Sequence, residues 1–423
     1  MSFQTSLSGL NNAALALDVV GNNISNANTI GFKAARSQFA DVFAATLATS
    51  TAPVSPGLGV ATANVVQTFG QGHIRRTEKP LDMAISGNGF FRVSNGESVG
   101  YTRNGEFHLV GELDATGESF SQAELAAQNA LVVNASGLRL TGYLAEYGTD
   151  PQGVIVRTAA PQDILIPPTM PGSATTSARI GVNLDASAAA PTATPFDPAD
   201  AATFTASTGM TVYDATGDAH SMTLYFAKSA TANAWDVYTT IDGAGQTGPG
   251  TMTFDSLGNM LSGTASASNA GVSLTIDFTG STQYANPFAV NSTLQDGYAD
   301  GSISGMSVTA DGVIKVAYSN GRSRSAAQVA LATFANPAGL TNAGDNLWRE
   351  TSLSGRPALD TPNNGDAATS LGLGALTGGA VEDANVDLSA EMVNLIVQQR
   401  YYQANAQGIK AQDQMLQSLA GIR

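Results

Sequence analysis

Apolar residues recur along this chain in two rhythms, one at its ends and another between them. At the start, Phe3, Leu7, Leu10, Ala14, Leu17, Gly21 and Ile24 follow at spacings of four and three. At the finish, Leu388, Met392, Leu395, Gln399, Tyr402, Ala406, Ile409, Asp413, Leu416 and Ala420 do the same. A mean spacing of about 3.5 residues places such positions along one seam of a helix, the pattern of a coiled coil. Two end helices with matching seams can pair, and the rest of the chain is then a loop sent out and brought back. Plain amphipathic helices packed on a globular core are the alternative. Residues 3–24 would make a helix roughly 33 Å long at about 1.5 Å per residue. Ser6, Ser8, Gly9, Asn11, Asn12 and Gly21 weaken it. An isolated helix of this kind is marginal in water, so it is expected to order only when a partner covers its seam.

The stretch from Gly21 to Lys33 breaks that helix. Its asparagines, Asn22, Asn23, Asn26 and Asn28, and its Gly31 favour side-chain-to-backbone turns and left-handed positions. A short helix is expected to resume over 34–45, and residues 50–72, with Pro53 and Pro56, read as an extended linker. From Pro80 the period changes to two: Leu81, Met83 and Ile85 alternate with Asp82, Ala84 and Ser86, as on a half-buried strand. Asn104-Gly105 between alternating runs predicts a hairpin. In 145–284 three further sets alternate: Met222, Leu224, Phe226; Trp235, Val237, Thr239, Ile241; and Val272, Leu274, Ile276, Phe278. Ala/Thr/Pro-rich connections separate them, so this region is expected to be a β domain of its own, inserted into another. Both tryptophans, Trp235 and Trp348, read as core anchors. Residues 285–356 return to short strands and turns, and 357–384 read as linker. Asp387 is placed to cap the last helix, with Glu391 favouring its dipole.

Charge and composition narrow the function. Lys and Arg number 19 against 34 Asp and Glu, for a net charge of −15. Both terminal segments are close to neutral, so the middle carries the excess: a molecule that shows solvent its middle and buries its ends. An acidic chain without a basic stripe opposes nucleic-acid and anionic-membrane binding. No run approaches the ~18 apolar residues of a membrane span. The start has no basic region and no unbroken apolar core, so no ordinary cleavable signal is read there. Cysteine is absent, which excludes disulfides and thiolate chemistry. His73, His108 and His220 are widely separated, which disfavours a histidine zinc site. No cofactor is implied, and no nucleotide-binding loop, zinc-protease motif or nucleophile elbow is complete. Asp296 with Asp300 reads as turn chemistry rather than an acid/base pair, and Glu382-Asp383 is expected on a solvated linker. No catalytic site is expected.

Asn22-Asn-Ile-Ser-Asn-Ala-Asn-Thr-Ile-Gly-Phe-Lys33 resembles the N-terminal signature of the bacterial flagellar rod and hook proteins. Val386-Asp-Leu-Ser-Ala-Glu-Met-Val393, Gln399-Arg-Tyr-Tyr-Gln-Ala-Asn-Ala406 and Ile409-Lys-Ala-Gln-Asp413 resemble their C-terminal signature. Pro80-Leu-Asp-Met-Ala-Ile85 and Tyr101-Thr-Arg-Asn-Gly105 are similar to the family too. Tyr318-Ser-Asn-Gly321 and Phe334-Ala-Asn-Pro-Ala-Gly-Leu340 point to its hook subunits in particular. Roughly 111–130, including Glu124 to Asn129, look like an extra segment in a loop where relatives are shorter.

The resemblance implies a mainly β protein with a terminal α-helical coiled coil and nested, discontinuous domains. Residues 1–72 plus 357–423 would be the inner core and its connection, 73–144 plus 285–356 a tube wall, and 145–284 an outer β domain. It implies a structural subunit that polymerises into the flagellar hook, a flexible curved tube that acts as a universal joint between rod and filament around a central export channel. A distal rod protein is the alternative; a secreted β-domain enzyme or adhesin using 145–284 is a third reading. Implied partners are further copies of the chain, the distal rod protein, the hook cap protein, the hook–filament junction protein and the flagellar export apparatus. The implied place is the extracellular hook, reached without a cleavable signal peptide. The assembly residues would be Phe3, Leu7, Leu10, Ala14, Leu17 and Ile24 with Leu388, Met392, Leu395, Tyr402, Ile409 and Leu416, while Asn22, Asn23, Asn26 and Asn28 set the turn that leaves the first helix. Removing residues 1–30 is therefore expected to leave a folded, soluble middle that forms no tubes. Electron microscopy showing normal tubes from that truncation would refute the assignment.

Overall fold

The computed structural model describes residues 3–41, 59–111, 130–147, 152–157, 160–363 and 372–420. Most of the extra segment expected at 111–130, with Glu124 to Asn129, lies outside the described residues, as do Pro53 and Pro56. The chain divides into two compact units. The first comprises Met1–Pro167, Gly305–Val316 and Ser323–Arg423, and the second Pro168–Ser304 and Ala317–Arg322. Strand pairing sets these boundaries. Strands within 154–166 pair with the first unit's Ala130–Asn134 and Arg139–Glu146, whereas Ala289–Gln295 pairs with Ser177–Asn183 inside the second. Both crossings thus fall later than the alternation alone suggests.

In the first unit, helix α1 (Phe3–Ser25) lies antiparallel to helix α2 (Leu388–Ala420). Ser6 meets Gly408, Gly9 meets Asn405, and Asn23 meets Glu391. Asp387 caps α2 as expected, its Oδ1 accepting from the N–H groups of Ser389 and Ala390 at 2.9 and 3.1 Å.

The helix expected at 34–45 does not form over its described part. Strand β1 (Ala35–Asp41) pairs antiparallel with β2 (Val60–Gln67), Ala35 opposite Gln67 and Asp41 opposite Val60, with a bulge after Gln38. The reason is local. The Asn23 side chain takes both backbone groups of Ala35, accepting from its N–H at 2.9 Å and donating to its carbonyl at 2.8 Å. Asn12 grips the other strand, donating to Val60 O and accepting from Thr62 Oγ1. A residue held extended from both sides cannot start a helical turn. The linker expected over 50–72 therefore contains β2. The linker expected over 357–384 is strand at Ala358–Asp360, Ala375–Gly378 and Ala380–Glu382.

The first unit's β region is built on Phe90–Ser94. That strand pairs with Val99–Thr102, Arg139–Glu146 and Leu331–Thr333. Phe69, Phe90, Tyr101, Phe334 and Trp348 meet edge to face around it, with ring centroids 4.8 to 5.9 Å apart. Met83, Ala84 and Ile85 are all buried, and Ala375–Gly378 pairs along the edge of their strand, so it is not the half-exposed strand that its alternation suggests. Asn104-Gly105 is not a hairpin turn either. Val99–Thr102 pairs with Phe90–Ser94 and Leu347–Arg349, and Phe107–Gly111 pairs with Ala130–Asn134. Gly105 is needed instead for close passage: its carbonyl accepts from Met83 N–H at 2.9 Å, and a Cβ would strike Met83 O.

The second unit is one eight-stranded sheet. In spatial order it runs Ala206–Tyr213, Ala219–Lys228, Ala234–Ile241, Ala244–Phe254, Met260–Asn269, Val272–Asp277, Ser177–Asn183 and Ala289–Gln295. All pairings are antiparallel except Ser177–Asn183 with Val272–Asp277. The three alternating sets read from the sequence point into one core, with Leu224, Phe226, Trp235, Val237, Ile276 and Phe278 fully buried. Truncating such a side chain costs the lost transfer energy plus the cavity left behind. Phe278→Ala is expected to destabilise the second unit by about 3–5 kcal/mol, read from urea unfolding.

Candidate assembly interface

Two of the sequence motifs, Asn22–Lys33 and Tyr101–Gly105, meet in the first unit around one carboxylate. Glu382 is fully buried. Its Oε1 accepts from Lys33 Nζ at 2.6 Å and Gly72 N–H at 2.7 Å, and its Oε2 accepts from Arg103 Nη1 at 3.1 Å. Its carbonyl accepts from Gly31 N–H at 2.7 Å. Lys33 also donates to Gly70 O, and Arg103 to Gly87 O. Burial pushes the Lys33 ammonium and the Arg103 guanidinium below their ordinary pKa values, and Glu382 beside them opposes that shift. Gly31 sits at φ +72°, where a Cβ would lie 2.5 Å from Asn104 N, so only glycine fits. Asn385 completes the junction: it accepts from Ala34 N–H at 2.7 Å and donates to Thr68 O at 2.7 Å. Glu382 is thus no part of a solvated linker. The sequence signal for it was its apolar setting, directly after Ala380-Val381.

The asparagine motif does several jobs. Asn23 is buried and clamps β1. Asn26 closes the end of α1 by donating to Asn22 O at 3.0 Å, and it accepts from Thr29 Oγ1. Asn22 and Asn28 are exposed. Asn346, from the far side of the unit's sequence, donates to Ile30 O at 2.9 Å.

The ends pair, but not through the expected seam. α1 meets α2 at Ser6, Gly9 and Asn23, and the buried Ala13, Ala16 and Val20 continue that row, each member one residue before a member of the apolar row. One residue turns about 100° around a helix. The contact row is therefore made of small and polar side chains, which let the two backbones approach closely. The apolar row lies on the flank. Phe3 and Leu7 are exposed, and Leu10, Ala14, Leu17 and Ile24 are partly exposed. On α2, Leu395 and Ile409 are partly buried, together with Glu391, Gln398, Asn405 and Gln412. Leu388, Met392, Tyr402 and Leu416 are exposed, and so are Val393, Ile396, Val397, Tyr401 and Met415. Large apolar side chains remain uncovered over most of α2. Among the described residues no helix is long and apolar enough to cross a membrane.

Comparison with known proteins assigns these parts. The family profile "Flagella basal body rod protein" matches residues 3–33, and "Flagellar basal body rod FlgEFG protein C-terminal" matches 377–422. "Flagellar hook protein FlgE/F/G D1 domain" matches 84–183, and "Flagellar basal body protein FlaE D2 domain" matches 183–298. The flagellar hook protein FlgE of Salmonella typhimurium is 40% identical over 441 residues, covering all of both chains. The chain belongs to the flagellar hook protein family. The hook protein FlgE of Escherichia coli K12 is likewise 40% identical, over 440 residues and the whole of both chains. That of Borreliella burgdorferi is 31% identical over 470 residues, spanning this whole chain and 99% of the other. Hook proteins match from end to end, so the distal-rod alternative is not favoured. The family is structural, and nothing in the matches speaks for catalysis.

Within this hook-family chain, Glu382 is the residue whose loss leaves two buried cations without their counter-charge. Removing one member of a buried ion pair costs about 3–5 kcal/mol. Glu382→Gln is expected to lower the first unit's stability by that amount in urea unfolding. An exposed pair such as Arg75–Asp383, 3.3 Å apart, should lose no more than about 1 kcal/mol when broken by Asp383→Asn.

Proposed function

We propose that the chain polymerises through its terminal helices into the flagellar hook. The observation that carries this reading is the misplaced apolar row: α1 and α2 pair through small and polar residues and leave their large apolar residues uncovered. Burying one Leu contributes roughly 1.5–3 kcal/mol. A stripe of such residues on both helices therefore favours bundling with further copies. The β1–β2 ribbon supports the same reading. Most of its residues are exposed, Phe39 and Val65 among them. A two-stranded ribbon is marginal alone, and neighbouring copies would cover it.

In this reading, residues 1–72 plus 357–423 form the inner core and its connection, around the export channel. The β region of the first unit forms the tube wall, and the second unit, Pro168–Ser304 with Ala317–Arg322, the outer domain. Head-to-tail contacts that do not close give an open helical array. Bending requires neighbouring outer domains to slide. The weakly charged composition, 13% Asp, Glu, Lys and Arg together, suits such sliding. The assembled tube is the extracellular hook, and the chain reaches it through the export apparatus. It meets the distal rod protein at one end, and the hook cap and hook–filament junction proteins at the other. No nucleic acid, membrane or cofactor takes part.

The test separates the exposed row from the intramolecular contact row. Leu7→Glu combined with Met392→Glu alters two exposed positions. The isolated chain should therefore melt as the parent does, while electron microscopy under polymerising conditions should find no tubes. Normal tubes from the double variant would overturn the reading.

A further inference from the structure

One cluster of titratable groups takes no part in assembly through the terminal helices. It lies in the second unit, beside the ribbon by which the chain enters and leaves that unit. Thr169–Met170 pairs there with Gly301–Ser302, and Ser173 with Tyr298. The turn Asp214–Asp218, between Ala206–Tyr213 and Ala219–Lys228, packs on this ribbon. Its buried Gly217, at φ +89°, comes so close that a Cβ would lie 3.0 Å from Asp300 N and 3.1 Å from Gly172 Cα. Asp214 holds the turn in shape, its Oδ1 accepting from the N–H groups of Thr216 and Asp218 at 2.9 Å each.

His220 stands between this turn and the next. Its Nδ1 lies 2.6 Å from Oδ2 of Asp242, whose Oδ1 accepts from Ser221 N–H at 2.9 Å. Its Nε2 is buried without a hydrogen-bond partner and faces Asp214 Oδ2 at 3.9 Å. The charged groups around the ring are thus the Asp242 and Asp214 carboxylates. Asp218, the next nearest in the turn, lies against Thr216 Oγ1 at 3.4 Å.

We propose that His220, held as an imidazolium between Asp242 and Asp214, is a pH-responsive brace on the ribbon through which the chain enters and leaves the second unit. Asp242 requires a proton on Nδ1. A neutral ring therefore presents a bare Nε2 lone pair to the Asp214 carboxylate, and two acceptors face each other. A protonated ring attracts both carboxylates and ties the Asp214 turn to the Asp242 turn. Gly217 then stays seated against Gly172 and Asp300. The hydrogen bond to Asp242, helped by the charges of both carboxylates, holds the His220 pKa above its ordinary 6.5 against the opposing effect of burial. The Asp214 carboxyl is held below its usual range by the Thr216 hydroxyl, and that of Asp242 by His220. A base whose folded pKa is raised contributes fully below its unfolded value and loses that contribution as pH rises through the folded value. The brace is closed below pH 6.5 and released on the alkaline side.

The chain has three histidines, so its imidazole C–H resonances are few enough to titrate in the full-length monomer. His220→Gln identifies the one in question. Its midpoint is expected above the ordinary value and should fall in Asp214→Asn. Hydrogen exchange at the amides of Thr216, Gly217 and Asp218, corrected for intrinsic rates, should show opening that grows with pH. The growth should reach about tenfold for each unit by which the midpoint exceeds 6.5. His220→Gln should remove that pH dependence. A midpoint at the ordinary value, a midpoint unmoved by Asp214→Asn, or turn protection that does not vary with pH would each overturn the proposal.

Discussion

A carboxylate taken wholly out of water must be paid for by partners placed within hydrogen-bonding distance. Glu382 has two cations, Lys33 and Arg103, and the N–H of Gly72. The partners come from the end of the asparagine motif, from the segment after β2 and from the run after Tyr101, while Glu382 itself lies on the return of the chain toward α2. None of these segments can shift without stranding a charge. Replacing such a cluster with apolar side chains often costs nothing in stability, so stability alone does not account for it. Its consequence here is registration. It fixes where the chain leaves α1, where it enters α2 and where both meet the β region. Gly31 and Asn385 fix the same point through backbone contacts.

Given that fixed base, the helices meet in an unusual way. An amphipathic helix in a globular protein turns its large apolar residues inward. Here α1 turns Ser6, Gly9, Ala13 and Ala16 toward α2 and leaves Phe3 and Leu7 outside. Small side chains permit close approach but bury little apolar area. The pair is therefore held mainly by its base and by packing of small groups, and its largest hydrophobic gain is still available. A chain that kept that gain for itself would have nothing left to join copies together.

Much of this was legible. Strict alternation located the second unit's core, because alternate residues of those strands point into a single closed interior. The period of the ends located both helices to within a few residues. Their facing was misjudged because hydrophobicity marks the face with most to bury, and in a single copy that is not the face that is buried. Asn104-Gly105 misled for a related reason: turn chemistry and close backbone passage both select glycine, and only the neighbouring Met83 distinguishes them. The strands at 35–41 and 380–382 were missed because side chains more than ten residues away impose them. No local pattern records that Asn23 grips Ala35, or that Glu382 waits for Lys33.

The same long-range grips make the order of the ends cooperative. The β1–β2 ribbon has two mostly exposed faces and little area to bury, so it cannot hold itself. Asn12 and Asn23, both on α1, hold one strand each. Asn23 also reaches Glu391 at the start of α2. Helix, ribbon and returning helix therefore order together or not at all. The entropy of ordering all three is large compared with the contacts one copy supplies. Contacts from neighbouring copies shift that balance for the whole set at once. In the proposed tube, a neighbour that covers α1 would therefore also steady the ribbon that Asn12 and Asn23 hold.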